Sequence, residues 1–345
     1  MLPSMPLSGP ASGPSLTAPP GASADERPVI SVVAPVYNEA ELLGAFCQEM
    51  RRVLLEIGEP WELILVNDGS RDASIQIMRE QHALDPRIKG VSFSKNFGGQ
   101  LAITAGLDYA RGDAVVIIDA DLQDPPDVVK ELVARWRQGY QVVYAQRASR
   151  AGETAFKRLT AAIYYRVIRG VANVDIPLDT GEFRLLDRKA ADALRSIREQ
   201  HRYLRGLAAW IGFRTIAVPY DRAARTAGET KYTLSMMLRL AVDGITNFSY
   251  LPLQLATYLG FVVAGLSLAG ILVAILVRLV MGHSALEGQA TTLVSVLFLG
   301  GVQLIFLGIL GEYLGRIYDE VKRRPLYIVD ETLGLEARAV GSPRG

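Results

Sequence analysis

The run Val115-Val116-Ile117-Ile118-Asp119-Ala120-Asp121-Leu122-Gln123-Asp124-Pro125-Pro126 joins an apolar segment to a pair of carboxylates. Its first four residues are β-branched and unalternating, the pattern of a short strand covered on both faces. Asp119 and Asp121 then emerge at the strand's carboxyl end, where open α/β sheets bind their ligands. Two carboxylates there suit a hard divalent cation, which takes oxygen ligands and keeps positions for water or substrate phosphate. Mg²⁺ or Mn²⁺ fits this donor set; zinc does not. An isolated Asp-x-Asp is usually a solvated surface turn. The strand before this one and the Gln123-Asp124-Pro125-Pro126 after it argue against that reading here.

Working outward, the chain repeats strand, loop and helix. Residues 29–34 read as a buried strand, and Asn38 followed by Glu41 resembles a capping box opening an amphipathic helix that Gly58 ends. A strand at 61–66 runs into the turn-rich Asn67-Asp68-Gly69-Ser70-Arg71-Asp72, then a helix to about residue 81. A strand over 88–93 and a helix over 99–110 lead to the Asp-x-Asp strand. Pro125 and Pro126 suit the start of the next helix, and residues 142–145 close the series. This alternation predicts an α/β domain with a mainly parallel sheet and helices on both faces. No Gly-x-Gly-x-x-Gly follows the first strand, which disfavours a dinucleotide fold.

A formal net charge of +1 gives no global field for nucleic acid. Cys47, the single cysteine, lies in an apolar-periodic segment and cannot form an intrachain disulfide, and His82, His201 and His283 are too scattered for a metal motif. Residues 1–27, rich in Pro, Ser, Gly and Ala, read as a disordered tail with neither the basic start nor the apolar core of a signal peptide. Residues 147–233 are less regular and carry scattered arginines, which form either a solvated face or a second phosphate site. Residues 234–250 have the spacing of an amphipathic helix, lying on a bilayer or packed on the soluble core.

No charged residue occurs in 251–277 or in 289–311, and each run exceeds the roughly 20 residues that span a bilayer. Two transmembrane helices, 251–281 and 289–315, are therefore expected as a hairpin. Lys231 and Arg239 precede the pair and Arg316, Lys322, Arg323 and Arg324 follow it, so the positive-inside rule puts the catalytic domain and both termini, including a tail over 316–345, in the cytoplasm. A carboxylate pair on a sheet edge, followed by a membrane hairpin, suggests an enzyme that carries a nucleotide-bound group to a lipid.

Ala34-Pro35-Val36-Tyr37-Asn38-Glu39, Asn67-Asp68-Gly69-Ser70-Arg71-Asp72-Ala73-Ser74, Asn96-Phe97-Gly98-Gly99-Gln100, the Asp-x-Asp run and Arg225-Thr226-Ala227-Gly228-Glu229-Thr230-Lys231-Tyr232 together resemble the family 2 glycosyltransferases. Within these the chain is most similar to the polyisoprenyl-phosphate glycosyltransferases, which include dolichol-phosphate mannose synthase and the bactoprenol glucosyltransferases. The resemblance covers about residues 29–330. It implies a GT-A fold over 28–233 and inverting transfer of a sugar from a nucleotide donor to the phosphate of a membrane polyprenol in the bacterial inner membrane. On matching positions Pro35, Tyr37, Glu39 and Asp68 would hold the nucleoside, with Asp119 and Ala120 beside it. Asp119, Asp121 and Gln123 would bind Mg²⁺ or Mn²⁺ and the diphosphate, and Arg147, Arg158, Arg225 and Lys231 would meet donor or lipid phosphate. Asp179-Thr180-Gly181-Glu182-Phe183-Arg184 matches the acceptor-side segment, although bactoprenol-type relatives usually carry Asp where Glu182 stands, and Asn67 replaces a frequent Asp.

The expected catalytic set is Asp121, Asp179, Glu182 and Arg147. A lipid monophosphate, like a phosphorylated side chain with a second pKa of about 6, is largely dianionic near neutral pH, so no strong base is required. Asp179 and Glu182 would orient the acceptor or bind the sugar; a salt bridge to Arg184 or Arg188 is the structural alternative. UDP-glucose is the favoured donor, with GDP-mannose, UDP-galactose, UDP-N-acetylhexosamine and UDP-aminoarabinose as alternatives and undecaprenyl phosphate as acceptor. A processive polysaccharide synthase would need a Gln-x-x-Arg-Trp motif that is missing here. A non-catalytic membrane scaffold would be expected to have lost a metal ligand, and none is lost. Two apolar helices per chain are compatible with a homo-oligomer.

Overall fold

The β-branched run at 115–118 and its equivalents build one eight-stranded sheet. The computed structural model describes residues 27–148, 180–221, 251–281 and 289–336. The strands are β1 (Ile30–Val36), β2 (Trp61–Asn67), β3 (Ile88–Phe93), β4 (Ala114–Ile117), β5 (Val142–Arg147), β6 (Thr180–Asp187), β7 (Thr215–Tyr220) and β8 (Val329–Leu333). They lie in the order β7-β5-β6-β4-β1-β2-β3-β8. Strands β1 to β4 pair in parallel, as does β5 with β7, while β6 runs antiparallel between β4 and β5 and β8 runs antiparallel on β3. The result is a GT-A-like α/β domain with a mostly parallel sheet.

Both faces are covered. Helices α1 (Ala40–Ile57), α2 (Ser74–Leu84) and α4 (Val128–Arg137) press Phe46, Met50, Met78 and Leu132 against Val32, Leu63 and Val116. Helix α3 (Gly99–Tyr109), with α5 (Arg188–Ser196) and α6 (Leu204–Trp210), packs Ile103, Leu194 and Leu207 against Val33, Ile64 and Val115. Strand residues of alternating parity thus face opposite cores, which is why the parallel strands are apolar throughout. Cys47 is buried in the first core, and burial pushes its thiol up to about 12.

Three local expectations change. The series does not close at residue 145: β6 inserts between β4 and β5, and β7 and β8 form the two edges of the sheet. Helix α1 has no capping box; Glu39 is its N-cap without a side-chain bond. Asn38 instead adopts φ 55° and accepts from Arg71 N at 2.9 Å, while Asp72 Oδ2 accepts from Ala40 N at 3.0 Å. The helix start is therefore satisfied from the β2–α2 loop rather than from its own first turn. Lastly, the segment read as a C-terminal tail returns to the sheet as β8, covering an edge of β3 that would otherwise present unpaired amides and carbonyls.

Between β7 and β8 come α7 (Leu251–Met281) and α8 (Gln289–Val321), helices of 31 and 33 residues. Among the described side chains large apolar groups face outward, Phe261 being 73% and Leu304 70% exposed. Among the described residues, Phe298–Val321 is long and apolar enough to cross a bilayer, which fits association with a membrane. The expected amphipathic helix at 234–250 and the connector at 282–288 lie outside the described residues, as do residues 1–26.

Candidate active site

Parallel strands deliver their loops to one edge, and the carboxyl ends of β1, β2 and β3 form the first half of the site. Pro35 is half-buried at the end of β1 and Tyr37, just beyond it, is exposed. Main-chain amides knit these loops together. Asn38 N donates to Ser70 Oγ at 3.0 Å and Glu39 N to Ser74 Oγ at 3.1 Å. Asp68, nearly fully buried, accepts from Phe97 N at 2.7 Å and Gly98 N at 2.9 Å. Burial raises its carboxyl above the ordinary range against the pull of those two amides. Gly69 has φ 65°, and a Cβ there would lie 2.4 Å from the Lys95 carbonyl carbon, so only glycine lets the second and third loops touch. Asn67 donates to Ser92 Oγ at 2.9 Å and accepts from Ser70 N at 3.0 Å, a bracing role for the amide that replaces the family's frequent Asp. These loops line a cleft of about 450 Å³, with Tyr37, Gly69, Arg71, Lys95 and Asn96 among its walls together with Asp330 and Glu331 of β8.

The second half lies over β4, β6 and β5. Register pairs Ile117 with Arg184 in antiparallel β6, so Asp119 and Asp121 leave β4 at the end where Glu182 enters β6. Leu122 adopts φ 56°, a costly conformation for a branched residue, in the turn that displays Asp121 and Gln123. Asp121 Oδ1 accepts from Gln123 N at 3.0 Å. Asp119, Asp121 and Gln123 are half-buried, and Ala120 between them is buried. Arg147 ends β5 beside Gly181, and its Nε is buried without a hydrogen-bond partner among the described residues. A buried donor of this kind is suited to an anion.

Tyr220 ends β7, paired in register with Arg147, and donates to buried Asp124 at 2.5 Å. Burial, joined by that bond, pushes its hydroxyl up to about 12, with Arg147 acting in the opposite direction. Glu182 sits between two guanidiniums, 3.0 Å from Arg184 Nη2 and 3.5 Å from Arg205 Nη2. Arg184 is fully buried, donates also to the Gly181 and Glu182 carbonyls and stands 5.3 Å over the Tyr144 ring.

The structure thus gathers Pro35, Tyr37, Glu39, Asp68, Asp119, Ala120, Asp121, Gln123, Arg147 and Glu182 along one edge. Of the two readings of Glu182, the salt bridge to Arg184 is the one seen. Asp179, Arg158, Arg225 and Lys231 lie outside the described residues. Among the described residues no three His, Cys, Asp or Glu side chains cluster as a metal cage. The fit is instead that of a Mg²⁺-type ion held by one or two carboxylates plus substrate phosphates. The Asp124–Tyr220 pair and the approach of Asp330 and Glu331 were missing from the sequence reading. Asp124 belongs to the quoted motif, so a buried acid needing a donor was foreseeable. The strand at 329–333 has no such signal, because only the third dimension brings it to β3.

The family model for glycosyl transferase family 2 matches residues 31–195. An uncharacterized glycosyltransferase of Bacillus subtilis (strain 168) is 49% identical over 306 residues, covering 89% of this chain and 94% of its own. The prophage bactoprenol glucosyl transferase homolog of Escherichia coli (strain K12) is 40% identical over 300 residues, 87% and 98% of the two chains. The bactoprenol glucosyl transferase of Shigella phage SfII is 40% identical over 303 residues, 88% and 98%.

Proposed function

We propose that this chain, which belongs to glycosyl transferase family 2, transfers a sugar with inversion from a UDP-sugar, glucose being favoured, to the phosphate of a membrane polyprenol such as undecaprenyl phosphate. The observation that carries the reading is the placement of Asp119, Asp121 and Arg147 on one sheet edge, with the buried Nε of Arg147 lacking a hydrogen-bond partner among the described residues, in a chain whose next two helices expose apolar side chains. The names of relatives at 40% identity support the acceptor.

Departure of the nucleoside diphosphate places negative charge on its terminal phosphate. A bound Mg²⁺ or Mn²⁺, held by Asp121 and Gln123 with Asp119 toward ribose or metal, would supply electrostatic stabilisation of that charge. Arg147 would add a charge-assisted hydrogen bond to the same phosphates. The acceptor phosphate oxygen attacks the anomeric carbon opposite the leaving group, which inverts its configuration. Since that oxygen is already anionic, Glu182 is left as the partner of Arg184 and Arg205 and shapes the acceptor side. Arg158, Arg225 and Lys231 would draw in the lipid phosphate, as two anionic substrates require cations.

Two membrane crossings with the catalytic domain and both termini in the cytoplasm accord with the sheet. Strand β7 lies before α7 and β8 begins eight residues after α8 ends, at Val321 and Val329. The helix pair therefore leaves from and returns to one sheet, as an even number of crossings demands.

The test is transfer of radiolabelled sugar from a panel of UDP- and GDP-sugars to undecaprenyl phosphate in detergent with Mg²⁺ or Mn²⁺. Label in lipid from one donor, lost with chelator and in Asp121→Asn, is expected. No transfer from any donor by folded, nucleotide-binding protein would overturn the proposal.

A further inference from the structure

Tyr220 closes β7 with its ring in the first core, where it meets Phe183 of β6 edge-on at 5.8 Å. At 7% exposure it is a buried phenol, and a buried phenol needs a polar partner for its hydroxyl. The hydroxyl proton goes to Asp124, at 2.5 Å, a carboxylate 2% exposed and joined directly to Gln123. Parallel register pairs Tyr220 with Arg147 of β5, and residues paired in this way project from the same face of a sheet. Arg147 stands close enough to act on the same hydroxyl.

A phenol hydroxyl has one proton and two lone pairs. With the proton spent on Asp124, the oxygen has only lone pairs left to offer, and these suit a guanidinium. One hydroxyl thus stands between the carboxylate that ends the Asp-x-Asp turn and the arginine proposed to meet phosphate.

That turn is strained, with Leu122 at φ 56°. Strain of this kind persists only where the surroundings impose it. The bond from Gln123 N to Asp121 holds the turn from within. The Tyr220–Asp124 bond holds it from outside, because β5 and β6 separate β7 from β4 in the sheet. Packing against Phe183 requires only the ring, so the hydroxyl needs another reason. Resting on the proposed transfer, we infer that Tyr220 is a positioning residue: its hydroxyl ties the Asp121–Gln123 turn to Arg147, so that the metal donors and the guanidinium meet the diphosphate in one fixed arrangement.

The experiment uses the full-length protein in detergent and follows free Mn²⁺ by electron paramagnetic resonance during titration at saturating UDP, and again at saturating GDP. With whichever nucleotide supports Mn²⁺ binding to wild type, Tyr220→Phe should weaken that binding about tenfold, as loss of a hydrogen bond to a charged group implies. Phe183→Leu loosens the same ring contact and leaves the hydroxyl, so it should lower Tm yet keep wild-type Mn²⁺ affinity. At saturating Mn²⁺ the kcat of Tyr220→Phe should fall about tenfold. Added to Arg147→Ala, the same change should cost nothing further, because the tie has already lost its far end. Wild-type Mn²⁺ affinity in Tyr220→Phe, an equal loss in Phe183→Leu, or losses in kcat that multiply across Tyr220 and Arg147 would overturn the assignment. A wild type that binds no Mn²⁺ with either nucleotide would overturn the proposed donor site and the assignment with it.

Discussion

Over β1, β2 and β3 the loops hold one another through main-chain amides, whereas over β4, β6 and β5 charged side chains hold one another. In the first region Asp68, Asp72, Ser70 and Ser74 spend their acceptors on backbone N–H groups of neighbouring loops. In the second, Glu182 lies between Arg184 and Arg205, Arg147 keeps a buried donor without a partner among the described residues, and Asp121 accepts a local amide. The difference separates a part that is rigid before ligand arrives from a part whose charge balance the phosphates complete. Shape belongs to the first region and reactivity to the second.

Asp121→Asn should have the largest effect, because it removes charge where the leaving group must be stabilised and leaves the loop scaffold alone. Turnover should fall about a thousandfold, roughly 4 kcal/mol, with Tm unchanged, measured by label transfer beside thermal unfolding. A large drop in Tm would break the division between the two regions. Arg147→Ala should follow, at about a hundredfold or ~2.7 kcal/mol, and Arg147→Lys should restore only part of it because a point charge cannot reproduce the guanidinium fork.

Substitution in the first region should act on stability instead. Asp68→Ala leaves the Phe97 and Gly98 amides without their acceptor and should cost about 2 kcal/mol of unfolding free energy, read as a lower Tm. Burial holds this carboxyl above its unfolded pKa. Its contribution is therefore full below the unfolded value and is lost as pH rises through the folded one. Wild type should accordingly lose stability over that window more steeply than Asp68→Ala, and parallel profiles would sink the assignment of the slope to Asp68.

The same contrast explains what could be read from sequence. Apolar runs such as 115–118 and 61–66 are fixed by local pattern, and β4, β2 and their neighbours appeared within about two residues of expectation. Asp119 and Asp121 could be singled out because they follow an apolar strand directly, whereas Arg147 stood out only through the resemblance to the family. The capping of α1 was not, because Asp72 and Ser74 act from a loop more than 30 residues away. Strand β8 was invisible for the same reason: Val329–Leu333 has mixed polarity, and its partner β3 lies some 240 residues upstream, across the whole helix pair.

Glu182→Gln is the smallest expected effect and the sharpest probe of the boundary. If charge alone governed the second region, neutralising a carboxylate between two guanidiniums would be ruinous, since an uncompensated buried charge costs several kcal/mol. Arg184, however, keeps the Gly181 and Glu182 carbonyls as acceptors at 3.0 and 3.2 Å, and the glutamine oxygen can still receive its Nη2. The acceptor phosphate supplies its own anionic nucleophile, so no proton need pass to residue 182. Turnover should therefore drop no more than about tenfold, or ~1.4 kcal/mol, with the pH dependence of transfer unchanged in shape. A thousandfold loss at unchanged Tm, or the disappearance of an acidic limb from the pH profile, would move Glu182 from a positioning residue to a catalytic one and would place proton transfer on the acceptor side of this edge.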